Sequence, residues 1–132
     1  IKELKTMKEV LAVIRMNKMN ETKRALADAG VASMTARKVI GRGKGKVDYL
    51  LLKGAEEGYE EAINQLSPGP KLIPKRMLTM VVPDSKVDVT VKTVIEVNKT
   101  GAPGDGKIFV MPVSDAVRVR TGELGDDALD ES

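Results

Sequence analysis

The chain has 132 residues, enough for one domain with a buried core, and its 22 basic and 19 acidic residues leave a net charge of only +3. It has no cysteine and no histidine, which excludes disulfides and thiol nucleophiles and removes the commonest zinc ligands and the commonest general base. Two tyrosines, one phenylalanine and no tryptophan are too few aromatic rings for a protein that stacks single-stranded bases.

The first third of the chain predicts a strand, a helix and a second strand. Residues 10–14 are continuously apolar, which is typical of a strand covered on both faces. In the segment NETKRALADAG, Asn20 is a suitable helix N-cap, and Gly30 stands where a left-handed residue ends a helix. The segment ASMTARKVIG then predicts a strand that ends at Gly41.

A segment of about thirty residues, 42–73, follows this strand. It opens with the flexible cationic stretch GRGKGK, and its middle, GAEEGYEEAINQL, predicts a short amphipathic helix that SPGP ends. Tyr59, Ile63 and Leu66 share one side of that helix. A compact domain rarely carries so long a connection unless it is functional or mobile, and the alternative is a disordered surface loop.

The rest of the chain predicts a strand, a helix and two further strands. KRMLTMVV and KIFVMPV are strand-like, and the segment between them is too long for one strand, so we expect a helix there. Ser85 with Asp88 resembles a capping box at the start of that helix. The segment AVRVR predicts a short terminal strand with Arg118 and Arg120 on one face.

This order of elements predicts an α+β fold, a ferredoxin-like sandwich in which an antiparallel sheet carries helices on one face. The predicted boundaries are an N-terminal extension at 1–6, one domain at 7–123 with a long loop at about 42–74, and a C-terminal tail at 124–132. No run of about 18 apolar residues occurs and no signal-peptide pattern stands at the start, so we expect a cytoplasmic protein.

The stretch TGAPGDGKIFVMPV, residues 100–113, predicts an anion site. Its glycines lack Cβ atoms, so backbone N–H groups can approach phosphate oxygens closely, and Lys107 adds a charge. Arg118 and Arg120 can grip phosphates, and GRGKGK offers further N–H groups with Lys44. Taken alone, GDGK is as often a plain turn and the two arginines a solvated strand face, but together these groups match a nucleotide polyphosphate.

The order of motifs resembles the PII signal-transduction family from Met7 to about Leu129. The motifs are MKEVLAVIR, MTARKVIGRGKGK, PKRMLTMVVPD, TGAPGDGKIFVMPV and VRVRTGE. The resemblance implies a non-enzymatic trimer with a mobile loop between the second and third strands that docks on target proteins. It also implies clefts between subunits for ATP or ADP, with 2-oxoglutarate bound beside ATP through a magnesium ion.

Residue by residue, the resemblance implies a nucleotide site of Thr35, Gly43, Lys44, Val81, Gly104, Asp105, Gly106, Lys107, Arg118 and Arg120. In it Thr35 meets the adenine with backbone help from Val81, and the glycines and lysines meet the phosphates. The two arginines reach in from the adjacent subunit. Lys75 pairs with a carboxylate of 2-oxoglutarate, beside Gly45 and Lys46. No side chain is implied as a metal ligand, because ATP and 2-oxoglutarate hold the magnesium.

Three departures from the family pattern stand in the long loop. Gly45 occupies the place of a glutamine that helps to hold magnesium and 2-oxoglutarate, so either the ion is held differently or the response to 2-oxoglutarate is altered. Leu52 stands where many bacterial members have a modifiable tyrosine, which argues against nucleotidylation. The loop is also longer than the usual one by roughly ten residues.

The longer loop, the GRGKGK stretch and FVMPV resemble the nitrogenase-associated PII proteins of the longer-loop subtype. That resemblance implies inhibition of the dinitrogenase component when fixed nitrogen is plentiful, by a homotrimer or by a hetero-oligomer with a paralogue. The loop residues expected to contact the partner are Arg42, Lys46, Tyr49, Tyr59, Ile63 and Leu66.

Other functions stay open on sequence alone. A PII protein of this kind could regulate an ammonium transporter or glutamine synthetase instead. Remoter alternatives are a nucleotide hydrolase using the same cleft and a basic ferredoxin-like RNA-binding module. The missing histidine argues against the first of these two and the scarcity of aromatic residues against the second.

Overall fold

A computed structural model of the protein describes residues 6–31, 33–41 and 72–129. The elements follow the predicted order: β1 (Met7–Arg15), α1 (Met19–Asp28), β2 (Thr35–Gly41), β3 (Ile73–Pro83), α2 (Val87–Asn98) and β4 (Lys107–Val113). Short 3-10 turns at Met16–Lys18 and Asp84–Lys86 lead into the two helices, and a third lies at Gly125–Ala128. Within these ranges, no helix is long and apolar enough to cross a membrane.

The strands form one four-stranded sheet in the order β2-β3-β1-β4, with every neighbouring pair antiparallel. This confirms the predicted α+β ferredoxin-like fold. The register sets the end of β1 beside the start of β3, because Arg15 lies opposite Lys75 and Lys75 lies opposite Val39 of β2. On the other side of β1, Val13 lies opposite Lys107. One end of the sheet therefore collects three basic residues.

The core lies between the sheet and the two helices. It is built from alternate residues of the central strands, with one residue from each helix at its centre: Val10, Ala12, Ile14, Leu78, Met80, Val82, Leu26 and Val94. The intervening residues Leu11 and Val13 point to the opposite face and are only half-buried. The apolar run of β1 is thus covered on one face by this chain.

Both helices begin differently from the predictions. α1 begins at Met19, with Lys18 at the N-cap position and no side-chain cap, so the predicted Asn20 cap is wrong. α2 likewise begins at Val87 without a side-chain cap, so the predicted Ser85 capping box is also wrong. The reason is that each helix grows out of a 3-10 turn, which continues the backbone spiral ahead of the first α-helical residue. Gly30 has φ of 88°, as predicted for the end of α1.

The two helices are joined by a buried polar contact. Nδ2 of Asn98 donates to Oγ1 of Thr22 at 3.0 Å and to the Val94 carbonyl at 2.9 Å. The Thr22 hydroxyl donates in turn to the Lys18 carbonyl at 2.7 Å, so it can only accept from Asn98. The amide orientation is fixed by this pattern, and Oδ1 of Asn98 is left buried with no partner in the described part of the chain.

The predicted terminal strand at AVRVR is wrong. Residues 116–120 make one isolated bridge, between Val117 and Leu124, and the chain then reverses at Gly122, which has φ of 74°. Val119 is 99% exposed while Arg118 is 8% exposed, which is not the two-faced pattern predicted for the pair of arginines. Alternation of valine and arginine is a local feature, but a strand also needs a neighbouring strand to pair with. In the described part of the chain, this segment pairs with neither edge strand of the sheet.

Candidate functional site

The glycine-rich loop, residues 99–106, joins α2 to β4 at the basic end of the sheet. Gly101, Gly104 and Gly106 have φ of 85°, 97° and 118°, a region that side chains other than glycine rarely adopt. A Cβ on Gly106 would lie 2.0 Å from the Val13 carbonyl oxygen. The loop therefore runs against β1 at a separation that only glycine permits.

The carboxylate of Asp105 holds this loop together from inside. One oxygen accepts the backbone N–H groups of Thr100 at 2.8 Å and Gly101 at 3.0 Å. The other accepts the Thr100 hydroxyl and Nη1 of Arg15, the latter at 2.6 Å. Burial acts to raise the pKa of Asp105, but hydrogen bonds from Thr100, Arg15 and the two backbone N–H groups outweigh it and hold the pKa well below its usual range. Asp105 stays ionised and fully engaged with its own loop.

Arg15 is the site residue that sequence reasoning missed. Its side chain is 7% exposed, and beside the Asp105 contact its Nη2 donates to the Pro103 carbonyl at 2.8 Å. The signal for it was faint: a single charged residue ends the apolar run of β1, and nothing local links it to a loop that begins after α2.

Lys75 fastens the same loop from the next strand. Its Nζ donates to the Gly104 carbonyl at 2.8 Å. The residue predicted to bind an effector carboxylate thus touches the loop predicted to hold phosphate. The structure brings together Lys75, Gly104, Asp105, Gly106 and Lys107, as a common site requires.

Two N–H groups of the loop, those of Gly104 and Gly106, donate to no atom in the part of the chain that the structure describes. They lie in a turn whose glycines take positive φ on either side of Asp105. Successive backbone N–H groups in such a turn form a concave nest that binds anions. Lys107 is exposed beside it at the start of β4. This end of the sheet therefore presents main-chain N–H donors and lysine side chains, which are groups suited to an anion.

Thr35 and Val81 lie further along the sheet. Thr35 pairs with Thr79, which is four residues, or about 13 Å, along β3 from Lys75. Thr79, Val81 and Lys75 alternate onto the same face of β3, the one turned away from the helices. The residues predicted for the base and those predicted for the phosphates thus occupy separate places on one face.

Arg118 is held by residues that follow it in the chain. Nη1 of Arg118 contacts Oε1 of Glu123 at 2.7 Å, and its Nη2 donates to the Asp127 carbonyl at 2.6 Å. Arg120 also has a partner. Among the described contacts, none joins Arg118 to the glycine-rich loop.

The remaining predicted residues lie outside the described part of the chain: Arg42, Gly43, Lys44, Gly45, Lys46, Tyr49, Tyr59, Ile63 and Leu66. Their two anchor points are described. β2 ends at Gly41, which pairs with Ile73, two residues before Lys75. The long connection therefore leaves and re-enters the sheet beside the lysine that touches the glycine-rich loop.

A cavity of about 420 Å³ lies behind the loop, on the helix side of the sheet. Its wall is mostly apolar and includes Ile14, Val91, Ile95 and Ile108, with Gly106 and Lys107 at the loop end. In the described ranges, no group of three acidic residues is placed to hold a metal ion.

The profile of the family described as "Nitrogen regulatory protein P-II" matches residues 7–123. A "Nitrogen fixation nifHD region GlnB-like protein 2" of Methanobacterium ivanovii is 46% identical over 123 residues, covering 93% of this chain and 99% of that protein. Among solved structures, a B. subtilis GlnK-ATP complex matches with a TM-score of 0.71 and 32% identity, over 94% of this chain and 96% of that one. Arabidopsis thaliana PII bound to citrate also matches with a TM-score of 0.71, at 29% identity, over 98% and 94%.

Proposed function

We propose that this chain, which belongs to the nitrogen regulatory protein P-II family, is a non-enzymatic sensor of ATP or ADP and 2-oxoglutarate that regulates a target protein through its long loop. One observation carries the proposal. The glycine-rich loop holds two N–H groups without a described partner, those of Gly104 and Gly106, while its own carboxylate is already satisfied by the loop and by Arg15.

The phosphates of the nucleotide bind this nest, with Lys107 beside it and Gly43 and Lys44 closing from the long connection. The adenine lies toward Thr35 and Val81 on the same face of the sheet. Since Asp105 is committed to Arg15 and Thr100, it does not coordinate magnesium, which is bound through phosphate and 2-oxoglutarate oxygens. The B. subtilis GlnK structure is a complex with ATP, which supports nucleotide binding by this fold.

2-Oxoglutarate binds at Lys75, with Gly45 and Lys46 beside it. The Nζ of Lys75 now donates to the Gly104 carbonyl, and a carboxylate is a stronger acceptor for an ammonium group than a neutral carbonyl. The Arabidopsis thaliana protein is bound to citrate, another polycarboxylate, which supports acidic ligands in this family. The loop anchor beside Lys75 would then report the presence of the effector to the long loop.

The working unit is a trimer, either homomeric or mixed with a paralogue. The sheet face away from the helices carries mostly apolar side chains that stay half-buried or exposed: Leu11, Val13, Met77, Val81, Phe109 and Met111. A solvated face of an antiparallel sheet is ordinarily polar, so this one favours burial against other copies. Arg118 and Arg120 reach the nucleotide from the adjacent subunit, and Arg118 exchanges its contacts with Glu123 and Asp127 for phosphate when it does so.

The target is the dinitrogenase component, inhibited when fixed nitrogen is plentiful and released when ATP and 2-oxoglutarate bind. The support is the name of the relative from Methanobacterium ivanovii, which places that protein in a nitrogen fixation region. Deleting Glu56 to Leu66 should abolish inhibition of nitrogenase in a reconstituted assay and leave ATP affinity unchanged. Inhibition that survives the deletion contradicts this role, and co-sedimentation with membranes holding an ammonium transporter would point to that target instead.

Calorimetric titration of ATP and magnesium, with and without 2-oxoglutarate, tests the sensor itself. We expect ATP to bind alone and 2-oxoglutarate to bind only when ATP and magnesium are present. If ATP binds but 2-oxoglutarate does not, the protein senses adenine nucleotides only, and Gly45 in place of glutamine accounts for the loss of 2-oxoglutarate binding. Failure of ATP to bind would refute the proposal.

A further inference from the structure

We propose that Arg15 is a positioning residue for the glycine-rich loop, which acts through Asp105 to hold the phosphate nest ready and does not itself contact the nucleotide. This rests on the proposed function, because it names what prepares the nest before a nucleotide arrives.

Geometry supports a positioning role. Arg15 ends a central strand, is almost fully buried, and gives one guanidinium nitrogen to Asp105 at 2.6 Å and the other to the Pro103 carbonyl at 2.8 Å. These two acceptors lie on either side of Gly104, whose N–H belongs to the nest. A planar guanidinium fixes both acceptors relative to each other, which a single-point cation cannot do.

The Asp105 carboxylate connects Arg15 to the start of the loop. Asp105 accepts from Arg15 with one oxygen and from the N–H groups of Thr100 and Gly101 with the other. The Thr100 hydroxyl donates to Asp105 and accepts from the N–H of Ala102 at 3.2 Å. The N–H groups at the start of the loop are therefore engaged by Asp105 and Thr100, while those of Gly104 and Gly106 remain for a ligand.

Preorganisation matters here because the loop is rich in glycine. Gly101, Gly104 and Gly106 lose more backbone freedom than other residues when they are fixed in one conformation. If the nucleotide had to order the loop itself, that cost would be subtracted from its affinity. Arg15 and Asp105 impose the order in advance.

The charge pair is unlike an exposed ion pair on the same strand. Lys8, at the other end of β1, contacts Asp84 at 2.8 Å, but its side chain is 30% exposed and that of Asp84 is 47% exposed. Exposed pairs of that kind contribute little. In the Arg15–Asp105 pair the arginine is 7% exposed and the aspartate 25%, so it is the buried guanidinium that loses its charged partner when Asp105 is replaced. Lys8→Gln is therefore the matched control: same strand, same kind of contact, no link to the loop.

The experiment is a double-mutant cycle on the full chain. Affinity for ATP with magnesium is measured by calorimetry for the wild type, Arg15→Gln, Asp105→Asn, the double variant and Lys8→Gln. Adenosine is measured by competition against a fluorescent ATP analogue. We expect each single variant to weaken ATP about tenfold, the double variant to weaken it no further, and adenosine affinity and the control to stay unchanged.

Two other outcomes overturn the inference. Losses that multiply to about a hundredfold in the double variant would mean that Arg15 and Asp105 act independently, as they would if each contacted the ligand. Wild-type affinity in Arg15→Gln would mean that the pair does not prepare the nest. Arg15→Lys keeps the charge but not the two-point contact, so it should recover part of the affinity, and it decides the question if Arg15→Gln fails to fold.

Amide hydrogen exchange without nucleotide separates this inference from the function it rests on. In Arg15→Gln the amides of Thr100 and Gly101 should exchange about tenfold faster than in the wild type, with Lys8→Gln unchanged. Unchanged exchange refutes the positioning role even if ATP binds. If exchange is faster in Arg15→Gln but the wild-type protein does not bind ATP, the positioning role of Arg15 stands and only the proposed function is refuted.

Discussion

Gly106 shows how one residue couples the loop to the sheet. Its φ of 118° is unfavourable for any side chain, and a Cβ would stand 2.0 Å from the Val13 carbonyl oxygen. Gly101, five positions earlier in the same loop, has φ of 85° but open space around its Cβ position. The two positions therefore differ in the close approach and share a positive φ.

Gly106→Ala should lower the free energy of unfolding by more than Gly101→Ala does. The shared cost of positive φ is about 1–3 kcal/mol, and only Gly106→Ala adds a backbone collision that β1 must move to relieve. Urea unfolding of both variants at one protein concentration measures the difference. Equal losses would contradict the close approach of the loop to Val13.

Asp105 also makes stability depend on pH with a definite sign. Its pKa is held below the unfolded value of about 3.8, so its contribution is complete above that pH and is lost as the pH falls toward the lower folded pKa. Asp105→Asn removes the titrating group. The difference in unfolding free energy between wild type and variant should be constant from pH 7 to about 5 and shrink below about pH 4. A difference that grows on acidification would contradict the contacts described for this carboxylate.

At the scale of elements, the two helices start alike and differ in one contact. Thr22 of α1 and Thr90 of α2 are fully buried, and each hydroxyl donates to the carbonyl four residues earlier at 2.7 Å. Only Thr22 also accepts from Asn98 of the other helix. The two threonines therefore share the hydrogen bond within their own helix, and they differ in the interhelical bond, which Thr22 makes and Thr90 does not.

Thr22→Val should therefore cost about 1–2 kcal/mol more in unfolding free energy than Thr90→Val, because it leaves Nδ2 of Asn98 with one acceptor fewer. Asn98→Leu in the Thr22→Val background should recover part of that loss, since it also removes the buried Oδ1 that has no described partner. Chemical denaturation of the three variants measures this. Equal costs for the two threonines would mean that the interhelical bond adds no stability.

At the scale of the whole molecule, the sheet has one face that its own helices cover and one that they do not. Phe109 on the uncovered face is 50% exposed, and Ile95 on α2 is 45% exposed. The two are matched in exposure and lie on opposite sides of the sheet.

Phe109→Glu should dissociate the assembly and weaken ATP binding, because a buried, unpaired carboxylate is strongly disfavoured in an apolar interface. Ile95→Glu should leave the assembly intact. Sedimentation velocity gives the oligomeric state of each variant. A Phe109→Glu protein with the wild-type mass would show that this face is not where the copies meet.

The sequence alone determined the order of strands and helices, the glycine that ends α1, and the glycine-rich turn that precedes β4. Each of these features depends on residues close together in the sequence. Strands and helices follow from apolar residues that recur with a period of two or of 3.6, and turns follow from glycines where φ must be positive. The helix caps were wrong because a turn ahead of each helix changed where it begins, and the AVRVR strand because alternation says nothing about a pairing neighbour. Only the tertiary structure decided that Asp105 serves the loop, that Arg15 anchors it and that Lys75 touches Gly104. Those partners are far apart along the chain, and which side chains meet depends on the register of a sheet that forms only when the whole domain closes.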